Sequence, residues 1–190
     1  MASYSVFLTG RPGVGKTSIL LYLVEELRKR GYKVGGMISC EIRQGRRRVG
    51  FKIRDIASGR EGILAHVNQS EGPRVSKYRV NLRDLNEVGV KAIERAMLED
   101  DVVVIDEVGK MELFSREFVS AVKEALSSNK VILGSVHLRA QHPLAKQIRE
   151  GRIKGIRIYE VTLANRNHLC ELLLNEILEA LEKNANRRSR

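Results

Sequence analysis

One eight-residue segment limits what this chain can fold into more than any other: Gly10, Arg11, Pro12, Gly13, Val14, Gly15, Lys16 and Thr17. It fits the pattern G-x-x-x-x-G-K-[ST], in which glycines let backbone N–H groups converge on phosphate oxygens. Such a loop needs a strand before it and a helix after it. Residues 5–9 (SVFLT) are apolar and β-branched enough for a buried strand. Over 17–30, Ile19, Leu20, Leu23, Val24 and Leu27 recur at helical spacing, and Gly31 follows where a C′ glycine would end the helix. The helix N-terminus then adds its partial positive charge at the phosphates. Lys16 is expected to reach the β- and γ-phosphates, and Thr17 to place its hydroxyl on Mg²⁺. Arg11, Pro12, Val14 and Ser18 complete the expected nucleotide-binding set. The bland alternative is a Gly-rich turn carrying an exposed lysine.

The rest of the pattern supplies a sheet around that loop. Runs at 37–42, 49–56 and 62–67 are strand-like, with Gln44-Gly45 and Ser58-Gly59 between them as hairpin signals. They read as an antiparallel insertion or sheet edge. Residues 68–76 read as a loop. Helical spacing returns over 84–99, and Val102 to Ile105 form the continuous aliphatic run of a central parallel strand. Further helices are expected over 115–127 with Ser115 as N-cap, over 143–150 with Pro143 at the first position, and over 165–181. Strands are expected over 130–136 and 156–162. This alternation predicts an α/β fold with a mainly parallel central sheet and helices on both faces. One domain over 1–182 is expected, followed by a basic, disordered tail over 183–190.

A phosphate loop needs an acidic partner at the end of another central strand. Asp106 follows Val102-Val103-Val104-Ile105 and takes the Mg²⁺-holding role expected there. Glu107 comes next, and a carboxylate beside the metal can orient or deprotonate an attacking water. That favours hydrolysis over transfer to a bound acceptor, although Asp-Glu pairs also occur in kinases. Gly109-Lys110-Met111-Glu112 follows at a strand end that faces the ligand crevice. Lys110 is a candidate for neutralising charge on the transferred phosphoryl. Its alternative is a Lys–Glu pair shaping the turn.

Composition excludes several classes. The 190 residues are 43% hydrophobic and 30% charged, as in an ordinary globular domain. Cys40 and Cys170 make neither a metal spacing nor a C-x-x-C pair. No stretch approaches the roughly 18–20 apolar residues of a membrane span, and no secretory leader is evident, so a cytoplasmic location without membrane contact is expected. The net charge of +11 attracts polyanions in general. The hairpin carries Arg43, Arg46, Arg47, Arg48, Lys52, Arg54 and Arg60, without the interleaved aromatics of a single-strand stacking platform. A nucleic-acid partner therefore stays open, and a solvated basic face is the simpler reading.

Three segments together resemble one family: GRPGVGKTS at 10–18, VVVIDEVGKMELFS at 102–115 and VTLANRNHL at 161–169. They resemble the THEP-type nucleoside triphosphatases, which include the human cancer-related nucleoside triphosphatase. Weaker likeness runs through 41–53 and 78–82. The resemblance implies a RecA-like P-loop fold and slow, Mg²⁺-dependent hydrolysis of ATP, GTP, CTP and UTP with weak base selectivity. It also implies phosphate binding by Gly10 to Thr17, Mg²⁺ binding by Asp106 and water activation by Glu107. Two rival readings remain: a nucleotide or polynucleotide kinase, and a nucleotide-gated switch that binds RNA or a partner. A monomer is expected.

Other residues carry weaker expectations. Asn165 and Arg166 follow a strand end and are expected to contact base or ribose, with Arg166 stacking through its planar guanidinium. The simpler reading is an N-cap and a surface arginine. Arg149 or Arg152 is a candidate internal arginine finger. His137 ends a strand near the site, while His66, His142 and His168 are scattered.

Overall fold

The computed structural model describes residues 4–188. They form a nine-stranded sheet in the order β5-β6-β4-β3-β2-β7-β8-β1-β9. The strands β2 (Val34–Gln44), β7 (Val102–Val108), β8 (Val131–Val136), β1 (Ser5–Thr9) and β9 (Ile156–Glu160) pair in parallel. From β2 outward the sheet turns antiparallel, through β3 (Arg47–Asp55), β4 (Glu61–His66), β6 (Tyr78–Val80) and β5 (Arg74–Val75). The two hairpin signals fall at the β2–β3 and β3–β4 turns, where Gly45 and Gly59 have φ of 58° and 73°.

Alternation along the parallel strands divides the core into two layers. Val6, Leu8, Val102, Val104, Val131 and Leu133 face α1 (Lys16–Lys29) and α6 (Arg166–Arg188). Phe7, Val103, Ile105 and Ile132 face α3 (Lys91–Glu99), α4 (Arg116–Ser127) and α5 (Pro143–Arg149). Leu23 and Leu27 of α1 are fully buried, each contributing about 1.5–3 kcal/mol of transfer free energy. Ser115 caps α4 as expected: its Oγ accepts the Phe118 N–H at 3.0 Å. Pro143 opens α5, and His142 Nδ1 accepts the Leu144 N–H.

Three expectations need correction. The loop over 68–76 contains part of a small hairpin, because β5 pairs with β6. The helix expected over 84–99 starts earlier, at α2 (Leu82–Asp84), and passes through a π-helical run, Leu85–Val90, before α3. That run sits tight on β2: a Cβ on Gly89 would lie 2.9 Å from Met37 Sδ. The tail expected from residue 183 is helical as far as Arg188, since α6 continues without a break. Residues 189 and 190 lie outside the described residues.

Two polar links fix the elements that flank the site. Glu176 on α6 accepts from Tyr4 Oη at 2.5 Å and Tyr159 Oη at 2.8 Å, and pairs with Arg157 at 3.1 Å, which ties α6 to β9. Arg95 on α3 pairs with buried Asp55 at the end of β3, which anchors the antiparallel extension.

Candidate active site

The loop between β1 and α1 forms because its glycines adopt conformations closed to other residues. Gly10 has φ of 145°, and a Cβ there would lie 2.6 Å from the Val161 carbonyl oxygen. Gly15 has φ of 111° and leads directly into α1. Val14 turns inward and packs in the core, so it offers only its backbone. Lys16 is buried, and its Nζ donates to the Gly10 and Arg11 carbonyls at 3.2 and 3.4 Å, which holds the ammonium across the loop mouth.

The acidic partner arrives from β7, two strands away. Thr17 Oγ1 donates to Asp106 Oδ2 at 2.7 Å, and Ser135 Oγ on the intervening β8 donates to Asp106 Oδ1. The pairing of β7 with β8 shifts register between Ile105 and Val108, and an irregularity of this kind re-aims side chains at a strand end. The Asp106–Glu107 peptide is cis. Burial raises the Asp106 carboxyl, opposed by its bonds to Ser135 and Thr17 and by Lys16. Burial, then the Asp106 charge, pushes Glu107 up to about 7.

One cleft of about 990 Å³ collects most of these groups. Gly10, Arg11, Pro12, Gly13, Gly15, Lys16, Thr17 and Ser18 line one side, and Glu107 and Lys110 lie across from them. Lys110 is exposed on the turn after β7. It does not pair with Glu112, whose carboxylate folds inward to the backbone N–H of Gly109 and its own. Glu112 is buried, and burial followed by Glu107 pushes it up to about 8. His137 also lines the cleft. Its Nδ1 accepts the Arg139 N–H at 3.0 Å; burial, then Lys110 and Lys16, pushes its pKa down.

The base-side residues behave differently from each other. Arg166 lies against the loop, with Cδ and Nη1 both 3.8 Å from a Cβ placed on Gly15. The Asn165 amide is taken up by its own turn: Oδ1 accepts the Thr162 N–H and Nδ2 donates to the Glu160 carbonyl, both at 2.8 Å. Its amide thus holds the turn that leads into α6.

Both finger candidates are elsewhere. Arg149 donates to the His137 and Ala140 carbonyls at 3.3 and 3.1 Å, and Arg152 pairs with Glu150 at 2.8 Å. Arg11, Arg48 and Arg139 line the cleft, and Arg139 is the one that the sequence pattern did not single out. Glu112, offered by the sequence only as a partner for Lys110, is instead a buried acid of the cleft. Its position one turn beyond Glu107 in a short loop was the available signal.

Five of the seven hairpin cations meet acids, sharing three carboxylates among them. Arg43 and Arg48 pair with Glu41, Lys52 and Arg54 with Glu61, and Arg60 approaches Glu87 at 3.9 Å. Among the described residues no helix is long and apolar enough to cross a membrane, and no cluster of three or more His, Cys, Asp or Glu has metal-holding geometry. What the site does contain is a pair of hard oxygens, on Thr17 and Asp106, beside a phosphate loop. Mg²⁺ takes one or two protein oxygens and completes its shell with phosphates and water, so this donor set fits it.

The comparisons agree with this geometry. A family profile described as NTPase matches residues 5–178. The nucleoside-triphosphatase THEP1 of Thermofilum pendens is 48% identical over 183 residues, spanning 93% of this chain and 97% of that protein. This chain belongs to the THEP1 nucleoside-triphosphatase family. The THEP1 of Thermotoga maritima is 40% identical, over 94% of this chain and 96% of its own. The crystal structure of THEP1 from Aquifex aeolicus superposes with a TM-score of 0.80 at 33% identity, covering 90% of this chain and 97% of that one. A human cancer-related nucleoside triphosphatase, solved in solution, gives 0.76 at 37%, covering 92% and 97%. Like its THEP1 relatives, the chain is a P-loop nucleoside-triphosphatase with a mainly parallel core.

Proposed function

We propose that the chain hydrolyses ATP, GTP, CTP and UTP to the diphosphate and phosphate, with Mg²⁺ as cofactor and weak base selectivity. The observation that carries this reading is the Thr17–Asp106 hydrogen bond at 2.7 Å, with Glu107 beside it in the same cleft. Thr17 and Asp106 would hold Mg²⁺, which supplies charge neutralisation at the phosphates. Backbone N–H groups from Gly10 to Thr17 bind the phosphate oxygens, and Lys16 and Lys110 offset charge on the transferred group. Arg11, Pro12 and Ser18 border the phosphates at the loop rim.

Glu107 orients the attacking water and accepts its proton. A carboxylate pushed to about 7 is matched to work near neutral pH. Selectivity is weak because the base meets surfaces that read no edge pattern. Arg166 offers a planar face, the neighbouring Leu163 is 73% exposed, and the Asn165 amide is committed to its turn.

The RNA-switch reading has less support, since four of the seven hairpin cations pair with Glu41 and Glu61. The test is phosphate release from the four triphosphates with and without Mg²⁺, in the wild type and in Glu107→Gln. Comparable Mg²⁺-dependent rates are expected for all four, with a loss of about 10²–10⁴-fold in the variant. Full activity in Glu107→Gln would remove the water-activating role.

A further inference from the structure

The cleft does not end at the phosphates. Beyond Glu107 it continues to a wall built by the end of β2 and the antiparallel extension, with Ser39 on β2, Arg48 and Phe51 on β3, Leu64 on β4 and Val75 on β5, and it also takes in Met111. At about 990 Å³ the whole cleft is at the upper end of small-molecule sites. A triphosphate held by the loop fills only the near end, because Arg166 and the turn before it, where the nucleoside would lie, are not part of the cleft lining. A nucleophilic water needs only about 30 Å³. Hydrolysis alone therefore leaves the far chamber without a use.

The chamber's chemistry narrows its occupant. Phe51, Leu64, Val75 and Met111 make an apolar body. The Phe51 ring is held edge-on to Tyr78 at 5.2 Å, which fixes it as a platform. The Arg48 guanidinium lies over one face of the Phe51 ring, 5.0 Å from its centroid, and donates to Tyr78 Oη at 3.1 Å, which leaves the opposite face for stacking. Its charge is partly offset by Glu41 at 2.7 Å, a carboxylate it shares with Arg43. A flat, neutral ring with acceptor atoms on its edge gains stacking, apolar burial and hydrogen bonds, and Ser39 adds a hydroxyl.

We propose that this chamber binds a second small molecule, a neutral heteroaromatic alcohol of the nucleoside class, with a hydroxyl directed at Glu107 in place of the attacking water. The inference rests on the γ-phosphate lying at the near end, as the hydrolase reading requires. It gives the antiparallel extension a role: to form the wall of a second binding site across from the phosphate loop.

Calorimetry on the full chain, saturated with Mg²⁺ and the β,γ-imido analogue of ATP, tests it with thymidine and adenosine as probes. With the nucleotide site filled, one of the two is expected to bind saturably at one site, with a Kd below about 1 mM. Val75→Trp fills the chamber and Phe51→Leu removes the platform, and each is expected to weaken binding about tenfold or more. Retained binding of the imido analogue shows that the variants are folded. The bound nucleoside is also expected to lower phosphate release from ATP in the wild type. Label from γ-phosphate-labelled ATP appearing in the nucleoside supports the same site: the hydroxyl oxygen has then taken the phosphoryl, Glu107 its proton, and ADP has left. No saturable binding of either probe, or unchanged binding in Val75→Trp, overturns the proposal. Failure of the hydrolase reading appears separately, as absent phosphate release without nucleoside.

Discussion

Thr17 Oγ1 and Asp106 Oδ2, 89 positions apart in sequence, are joined by a hydrogen bond of 2.7 Å. The bond brings together the start of α1 and the end of β7, and both oxygens are the hard donors Mg²⁺ accepts. Mg²⁺ added with nucleotide is expected to raise Tm beyond the effect of nucleotide alone. At 100-fold excess over Kd a ligand contributes about 2.7 kcal/mol. In Asp106→Asn the increment due to Mg²⁺ should vanish, while metal-free nucleotide still binds through the loop. Thermal melts with nucleotide, with and without Mg²⁺, read this directly. An unchanged Mg²⁺ increment in the variant would remove Asp106 from the metal site.

Arg166 and Asn165 are neighbours with different predicted roles. Arg166 lies against Gly15, where a nucleoside would continue from the loop. Arg166→Ala is expected to raise KM for all four triphosphates by a similar factor, about fivefold for a contact worth about 1 kcal/mol, with kcat nearly unchanged. Asn165→Ala instead removes two hydrogen bonds that shape the turn, and should cost about 1–3 kcal/mol of stability without altering the ranking of bases. Steady-state kinetics over the four substrates, with a denaturant melt of each variant, separates the two.

The sequence made the phosphate end legible and left the far end obscure, for physical reasons. The loop at 10–17 and the Val102-to-Glu107 run are local patterns: each glycine conformation and each aliphatic residue is required by its own segment. The hairpin turns at Gly45 and Gly59 were legible for the same reason, because a positive φ marks itself in the residue type. Arg139 and Arg149 show the limit. Arg139 lies in the β8–α5 loop and Arg149 ends α5, and only the three-dimensional path of the chain turns the first into the cleft and sets the second on backbone carbonyls. The basic hairpin shows it again. Seven cations in sequence look like a polyanion surface, and only strand register sets Glu41 and Glu61 against four of them. Over 183–188 composition argued for disorder, while α6 continues to Arg188.

That difference between the two arginines is measurable. Arg139 is exposed, lines the cleft, and among the described residues makes no ion pair. Arg139→Ala is expected to lower kcat by roughly 10–10²-fold, as for loss of a charge that stabilises the transferred phosphoryl, with Tm unchanged. Arg149→Ala should lower stability by about 1–3 kcal/mol through the two freed carbonyls, with a smaller effect on kcat. A reversed pattern would return the finger role to Arg149.

Buried Glu112 makes the metal-free protein sensitive to alkali. Burial, then Glu107, raises its carboxyl to about 8 from an ordinary 4.5. In the fold it keeps its proton at pH values where the unfolded chain has lost it. Between pH 4.5 and 8 the native state therefore binds more protons than the unfolded state, and stability falls as pH rises. The stabilising difference is fully present below about 4.5 and gone above about 8. Glu107, raised to about 7, acts in the same direction. Urea melts in EDTA are expected to show the wild type less stable at pH 9 than at pH 5, by an amount on the order of a few kcal/mol. Glu112→Gln keeps an oxygen for the Gly109 N–H but cannot ionise, so its loss across the same interval should be clearly smaller. Equal pH dependence in variant and wild type would mean that Glu112 is not ionising inside the fold.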